Sequence, residues 1–368
     1  MEKAKISAFQ LFVMIALFEF GSAILIPLAI GAKQDAWLSI VMGMVGGFLL
    51  FFIYYRLYLY YPDMLPTGYV QKIIGRIPGK MLAFLYMIYF IYLASRDLRD
   101  FGAMLVTSTY PDSPLFVVNA LLMLLVIYTL RFGIEVLART GELLFFLFLL
   151  ITVSALVLIS SSGLIDFRQL QPVLENGFYA VFKTVYMETL YVPFGEAIVF
   201  TMIFPYLNER KKLKRVYISA MTLSGLSLAF AMIINVSVLG VDLTSRSQFP
   251  ILSTIQMIEL AEFLERLDVY FLLVLIIGIF FKLSLYFYVA ASGIADLFQV
   301  KEPSQLIYPM GIIILLSSIS IAGSYAEHIE EGLKLATIYV QLPVQVVIPA
   351  VLLIIAFFKN KKTKALPA

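Results

Sequence analysis

The chain has 368 residues, 61% of them hydrophobic and only 14% charged, with a formal net charge of +3 and a mean hydropathy of +0.94. Soluble proteins carry roughly 25% charged residues, and a chain this apolar cannot clothe itself in polar surface, so it is an integral membrane protein. It has no cysteine and one histidine, His328, which excludes disulfides, thiolate metal sites and multi-histidine clusters; no metal and no other cofactor is expected.

Apolar runs of about 17 to 25 residues are long enough to cross a bilayer. They lie at approximately 8–30, 37–60, 81–106, 115–135, 141–162, 180–205, 215–240, 268–292, 306–325 and 337–358. The spacing predicts an all-α membrane protein with ten transmembrane helices in a single domain over 1–368. Because apolar runs recur to the far end, the opening MEKAK and the run after it read as a retained first span, not a cleaved signal. Most lysines and arginines, including the NERKKLKR loop at 208–215 and KNKK at 359–362, then fall on the side shared by both termini. The other side has Lys33, Arg168, Arg246, Arg266 and Lys334. Positive charge concentrates inside, so both termini are expected in the cytoplasm. The basic loop suits anionic lipid head groups, and nothing in it calls for nucleic acid.

The first run, ALFEFGSAILIP, carries Glu19 directly ahead of Gly21, Ser22 and Ala23, with Pro27 downstream. A carboxylate followed by small residues and a proline marks a place where a helix opens. The third run contains SRDLRD at 95–100. Arg96 and Asp100 share a helix face with Arg99 beside them, while Asp97 points about 100° away from Arg96. One pair can neutralise itself; the remaining charges need an aqueous cavity or partners such as Glu19, Glu188 and Glu196. A structural ion network and a gate are both compatible with that pattern.

The sixth run, ETLYVPFGEAIVFTMIFP from Glu188 to Pro205, repeats the abnormality of the first. Two carboxylates, Glu188 and Glu196, flank Pro193 and Gly195. Two matched breaks, each near the start of a five-helix half, point to an inverted repeat with halves 8–162 and 180–358, in which backbone groups freed at the breaks hold a zwitterion or ion near the midplane. Ordinary Gly and Pro kinks are the competing account. Tyr191 and Phe194 lie inside the second break, where their rings either cover an apolar part of a ligand or pack the core. Lys183, near the outer end of this run, is placed to snorkel.

The segment 241–266 is the longest outside connection. From Pro250 it repeats apolar residues at Ile251, Ile255 and Ile258, which predicts a surface helix over about 250–265 with Glu259, Glu262 and Glu265 available to solvent or a partner. In the eighth run Lys282 is the lone charge, followed by Ser284, Tyr286 and Tyr288. It is a candidate proton acceptor, a substitute for a sodium ion, or a fixed counter-charge to a carboxylate. His328 sits in SYAEHIEEG, read as an outside turn. No Ser/His/Asp, Cys/His, HExxH or P-loop arrangement is present, so the chain does not read as an enzyme.

At this point the chain resembles a known family. The pieces ISAFQLFVMIALFEFGSAIL, SRDLRDFGAML, PFGEAIVFTMIFPYLN, the basic loop and ERLDVYF are similar to the spore germination permeases, the B subunits of nutrient germinant receptors. These belong to the amino acid/polyamine/organocation transporter superfamily. The resemblance implies a five-plus-five inverted repeat with broken helices 1 and 6, residence in the spore inner membrane, and A and C subunits as partners. It also implies a small-molecule germinant held by Gly21, Ser22 and Ala23 of the first break and by Tyr191, Pro193, Phe194, Gly195 and Glu196 of the second. An amino acid is favoured over a nucleoside. Glu19, Arg96, Asp97, Arg99, Asp100, Glu188 and Lys282 would line or lock the path. Permeases of the superfamily often have G-x-G in the first break, whereas this chain has Gly21 followed by Ser22, with Glu19 nearby. A proton-coupled amino acid transporter is the alternative.

Overall fold

The computed structural model describes residues 4–257 and 268–365. The chain begins with a short extended stretch in which Ile6 pairs with Leu207, Ile6 N–H donating to the Tyr206 carbonyl and Asn208 N–H to the Ile6 carbonyl, both at 3.0 Å. Helix α1 (Ala8–Phe20) starts immediately after, because Ser7 and Gln10 form a reciprocal cap: the Ser7 hydroxyl accepts from Gln10 N–H and the Gln10 side chain accepts from Ser7 N–H. The start of the first run is thereby tied to the end of the sixth.

The described helices that follow are α2 (Ala36–Tyr60), α3 (Pro66–Ile74), α4 (Arg76–Ser108), α5 (Leu115–Leu130), α6 (Ile134–Ser161), α7 (Gly177–Thr184), α8 (Leu213–Arg246), α9 (Pro250–Gln256), α10 (Asp268–Phe298), α11 (Ser304–Ser320), α12 (Tyr325–Glu330) and α13 (Ile348–Ala365). Six helical stretches among the described residues are long and apolar enough to cross a membrane; Ala8–Phe20, Leu115–Leu130 and Ser304–Ser320 are shorter apolar helices. The predicted runs 8–30 and 180–205 yield no long helix, and the physical reason is in the sequence: each is interrupted where glycine and proline were found.

The first run stops at Gly21 and continues through turns to a short tight helix, Ile30–Asp35, before α2. The sixth passes from α7 into a wide turn at Val185–Thr189, then through residues 190–195 with a cis Val192–Pro193 bond, into tight helical turns at Glu196–Met202 and Phe204–Tyr206. The last run likewise is not one regular helix: Glu331–Val347 is widened around Pro343 before α13 begins. The predicted end of the seventh run, at 240, falls on a kink inside α8 at Gly240.

Helix α10 is the centre of the bundle. In its most apolar window 83% of residues are buried, against 22–44% in the other five long stretches, and it packs on α1, α4, α5, α6, α9 and α11. The outer segment corrects one expectation. Helix α9 does begin at Pro250, but Ile251, Leu252 and Ile255 are buried, and it packs against α8 and α10 instead of lying free on the surface. Glu259, Glu262 and Glu265 lie outside the described residues.

Candidate functional site

The end of α1 meets α10 at unusually short range. A Cβ on Gly21 would collide with the aliphatic stem of Lys282 and come within 2.8 Å of the Phe18 carbonyl, while one on Gly278 would lie 3.3 Å from Gly21 Cα. Glycine at position 21 is therefore required by close approach, and the approach delivers the Lys282 side chain across the first break. Its ammonium reaches Glu196 Oε2 at 2.6 Å and donates to the Ser22 hydroxyl oxygen at 3.2 Å. Ser22 spends its own proton on Asp97 Oδ1 at 2.8 Å. One chain of polar contacts thus runs from Glu196, at the second break, through Lys282 and Ser22, at the first, to Asp97 on α4. All four side chains are buried, as is Glu19 one turn earlier on α1.

The second break is held by backbone turns and by the last run. Gly195 N–H and Glu196 N–H both donate to the Tyr191 carbonyl at 3.1 Å, and Tyr191 N–H donates to the Glu188 carbonyl at 3.0 Å. A Cβ on Gly195 would collide with Gln345 Oε1 and lie 2.8 Å from the Leu190 carbonyl. Gln345 is fully buried. Its amide donates to Tyr89 Oη at 2.7 Å, and its backbone carbonyl accepts from Tyr54 Oη at 2.6 Å. Tyr86 Oη donates to the neighbouring Val344 carbonyl at 2.7 Å. The widened stretch beside Pro343 exposes carbonyls, and tyrosines from α2 and α4 satisfy them. Tyr191, Pro193 and Phe194 are buried in this packing; Ala23 is buried in the first break.

The predicted ionic residues separate into three groups. Lys282 pairs with Glu196, with Asp97 and Glu19 nearby. Glu188 is not among them: Oε1 accepts Ala29 N–H at 2.8 Å, so the sixth run's first carboxylate fixes the far end of the first break. The SRDLRD face opposite Asp97 looks to α11 and α12. Arg96 donates to the His328 carbonyl at 2.5 Å, Asp100 Oδ1 lies 3.0 Å from His328 Nε2, and Arg99 donates to the Ile319 carbonyl at 3.3 Å. Arg96 and Asp100 share a face as expected, yet they meet through His328, and the proposed partners Glu19, Glu188 and Glu196 do not serve these arginines. His328 itself is not in an exposed turn. It lies in α12, fully buried, with its ring stacked on Tyr325.

Sequence reading also missed the aromatic floor of the site. Phe18 packs edge-on against Phe200 and Tyr286, at 5.2 and 5.1 Å between centroids, and Tyr286 stacks on Phe90 at 6.2 Å. The Lys282 ammonium sits 5.4 Å from the Phe18 ring. Tyr286 follows Lys282 by one turn of α10, or about 6 Å. Further along, a cavity of about 650 Å³ lined by Tyr206, Tyr288, Asp296 and Lys301 opens at the end of the same helix. The signal for the rings was the helical spacing from Lys282 to Tyr286, which by itself is indistinguishable from core. Among the described residues no group of His, Cys, Asp or Glu is placed to hold a metal.

Comparison with known proteins fits this architecture. The structure superimposes on a nucleobase-cation-symport-1 family transporter, MHP1, in a closed conformation with bromovinylhydantoin bound. The TM-score is 0.67 at 11% identity, covering 88% of this chain and 73% of that one. It superimposes equally on MhsT in complex with L-phenylalanine, with a TM-score of 0.67 at 14% identity over 97% and 89% of the two chains. The likeness is one of fold: an all-α, membrane-spanning bundle resembling the five-plus-five inverted-repeat transporters with broken helices. In sequence, the chain is 51% identical to spore germination protein KB of Bacillus subtilis (strain 168) over 98% of its own length and 97% of that protein's. It is 25% identical to spore germination protein A2 of the same organism over 86% of each. The family model for spore germination protein matches residues 5–326. The chain therefore belongs to the spore germination protein family, as a multi-pass membrane component.

Proposed function

We propose that this chain is the ligand-sensing membrane subunit of a nutrient germinant receptor, and that it holds a small germinant between its two broken segments. The observation that carries the reading is the Glu196–Lys282–Ser22 chain, which joins both breaks through one buried ion pair. A buried pair is costly to desolvate, and its attraction repays that cost only while its geometry is kept. A ligand offering its own ammonium or hydrogen-bonding groups to Ser22, Ala23 and Glu196 competes for those contacts and favours an arrangement in which the segments sit differently. Only a difference in affinity between two arrangements is required. Gly21 and Gly195 give the backbones their close approach, and Tyr191 and Phe194 cover an apolar part of the ligand. An amino acid suits charged groups at both breaks better than a nucleoside does.

In this reading the chain crosses the spore inner membrane ten times with both termini in the cytoplasm, the halves 8–162 and 180–358 being inverted repeats. The shorter helices α1, α5 and α11 and the broken sixth segment supply the four crossings beyond the six long stretches. A and C subunits would read the rearrangement, while lipid covers the remaining apolar faces. The test uses the full chain in liposomes: binding of a panel of amino acids and nucleosides, and time-resolved uptake of whichever binds, with and without a pH gradient. Saturable binding without accumulation, lost in Gly195→Trp protein that still folds, is expected. Gradient-dependent uptake would make the chain a proton-coupled carrier instead, and unchanged binding in the variant would remove the ligand from the breaks.

A further inference from the structure

We propose that Glu19 is a proton-binding site: its carboxyl group carries a proton while α1, α8 and α10 are packed as they are here, and releases it to water when they part. Glu19 has no exposed surface, and neither carboxyl oxygen has a hydrogen-bond partner. An ionised carboxylate without partners in an apolar interior is so costly that the group takes a proton instead. Among the charges that reach it, Lys282 is of opposite sign but is shared with Glu196 and Asp97. From α10 comes Lys282, whose ammonium is already engaged by Glu196 Oε2, the Ser22 hydroxyl and the Phe18 ring. The tight turns at Glu196–Met202 bring Glu196, of the same sign as Glu19, while α4 brings Asp97 to Lys282 and Glu196. From α8 comes Tyr217, a hydroxyl that itself lacks a partner. The acidic residues of α6 are committed at the other end of α1, where Glu135 accepts Lys5 N–H and Glu142 accepts from Gln10.

Three carboxylates therefore surround one ammonium. Asp97 has the Ser22 hydroxyl and Glu196 has the lysine, which leaves Glu19 as the member with neither. A proton neutralises it without occupying volume, where the packing around Gly21 lacks room for a methyl group. Glu19 precedes the first break by two residues, so any separation of α1 from α10 that admits water also hydrates this carboxyl and frees its proton. The inference goes beyond the germinant reading and does not depend on it, since a sensor and a carrier built on these residues would hold the proton alike.

Infrared difference spectroscopy on the full chain in liposomes at neutral pH tests it. The wild type is expected to show the carbonyl stretch of a protonated carboxyl group, shifted in D2O. Glu19→Gln is expected to lose that band and Asp97→Asn to retain it. A band that survives in Glu19→Gln, disappears in Asp97→Asn, or is absent from the wild type would overturn the assignment. Should Glu19→Gln fail to fold, Glu19→Asp serves: a band displaced from its wild-type position supports the site, and one left in place contradicts it.

Discussion

Lys282 shows how far a single residue can be read and where the reading stops. Its position as the lone charge of an apolar run was legible, as were three roles for it, but the sequence cannot say which of five carboxylates it meets. That depends on α10 crossing the first break at Gly21, a contact between segments far apart in the chain. The pair found, with Glu196, is buried at both ends, so removing one member leaves the other uncompensated. Lys282→Met and Glu196→Gln are each expected to destabilise the chain by about 3–5 kcal/mol. The double variant should cost clearly less than their sum, because the second change removes a charge already stranded. Thermal unfolding of detergent-solubilised protein measures the cycle, and strictly additive losses would show that the two groups do not interact. His328 illustrates the opposite failure. Its segment, SYAEHIEEG, reads as an outside turn, whereas His328 is buried and held by Asp100 and Arg96 on α4. Asp100→Asn is expected to lower stability by about 1–3 kcal/mol by weakening the bond to the imidazole, and an unchanged melting temperature would deny that bond a structural role.

At the scale of elements, the two interruptions were the most legible feature, because Gly and Pro act locally: a missing N–H or side chain opens a helix whatever surrounds it. What the sequence could not show is how each opening is closed again. The second break is sealed by Gln345 from the last run, held there by Tyr54 and Tyr89, and none of those residues stands out in an apolar span. Gly195→Ala should therefore cost about 1–3 kcal/mol through overpacking against Gln345 and the Leu190 carbonyl. Shortening the opposing side chain in Gln345→Ala should restore part of that loss. A Gly195→Ala protein as stable as the wild type, or one not rescued by the second change, would show that the contact does not constrain the break. The outer helix was legible in its start at Pro250 but not in its burial, since a short apolar repeat looks the same on a surface as in a groove.

For the whole molecule, composition alone gave the class, and the apolar runs located the long helices, with ends that differ by several residues, as 141–162 against Ile134–Ser161. The runs at 8–30 and 180–205 could not become long helices because glycine and proline interrupt them, and the proposed site lies at those interruptions. The larger organisation, with α10 at the centre and a cluster of aromatic rings packed against the ionic chain, is a product of packing that no run displays. The account's central claim is that ligand, both breaks and the Lys282–Glu196 pair meet at one place. Because the chain has no native cysteine, a single thiol can be introduced without background, and Ala23→Cys places it in the first break. The most direct measurement is the rate at which a small thiol reagent modifies that cysteine in liposomes, with and without a saturating concentration of the germinant identified by binding. Slower modification in its presence, with a cysteine at Ser317 unaffected, is the result expected; equal rates at position 23 with and without bound germinant would contradict the account.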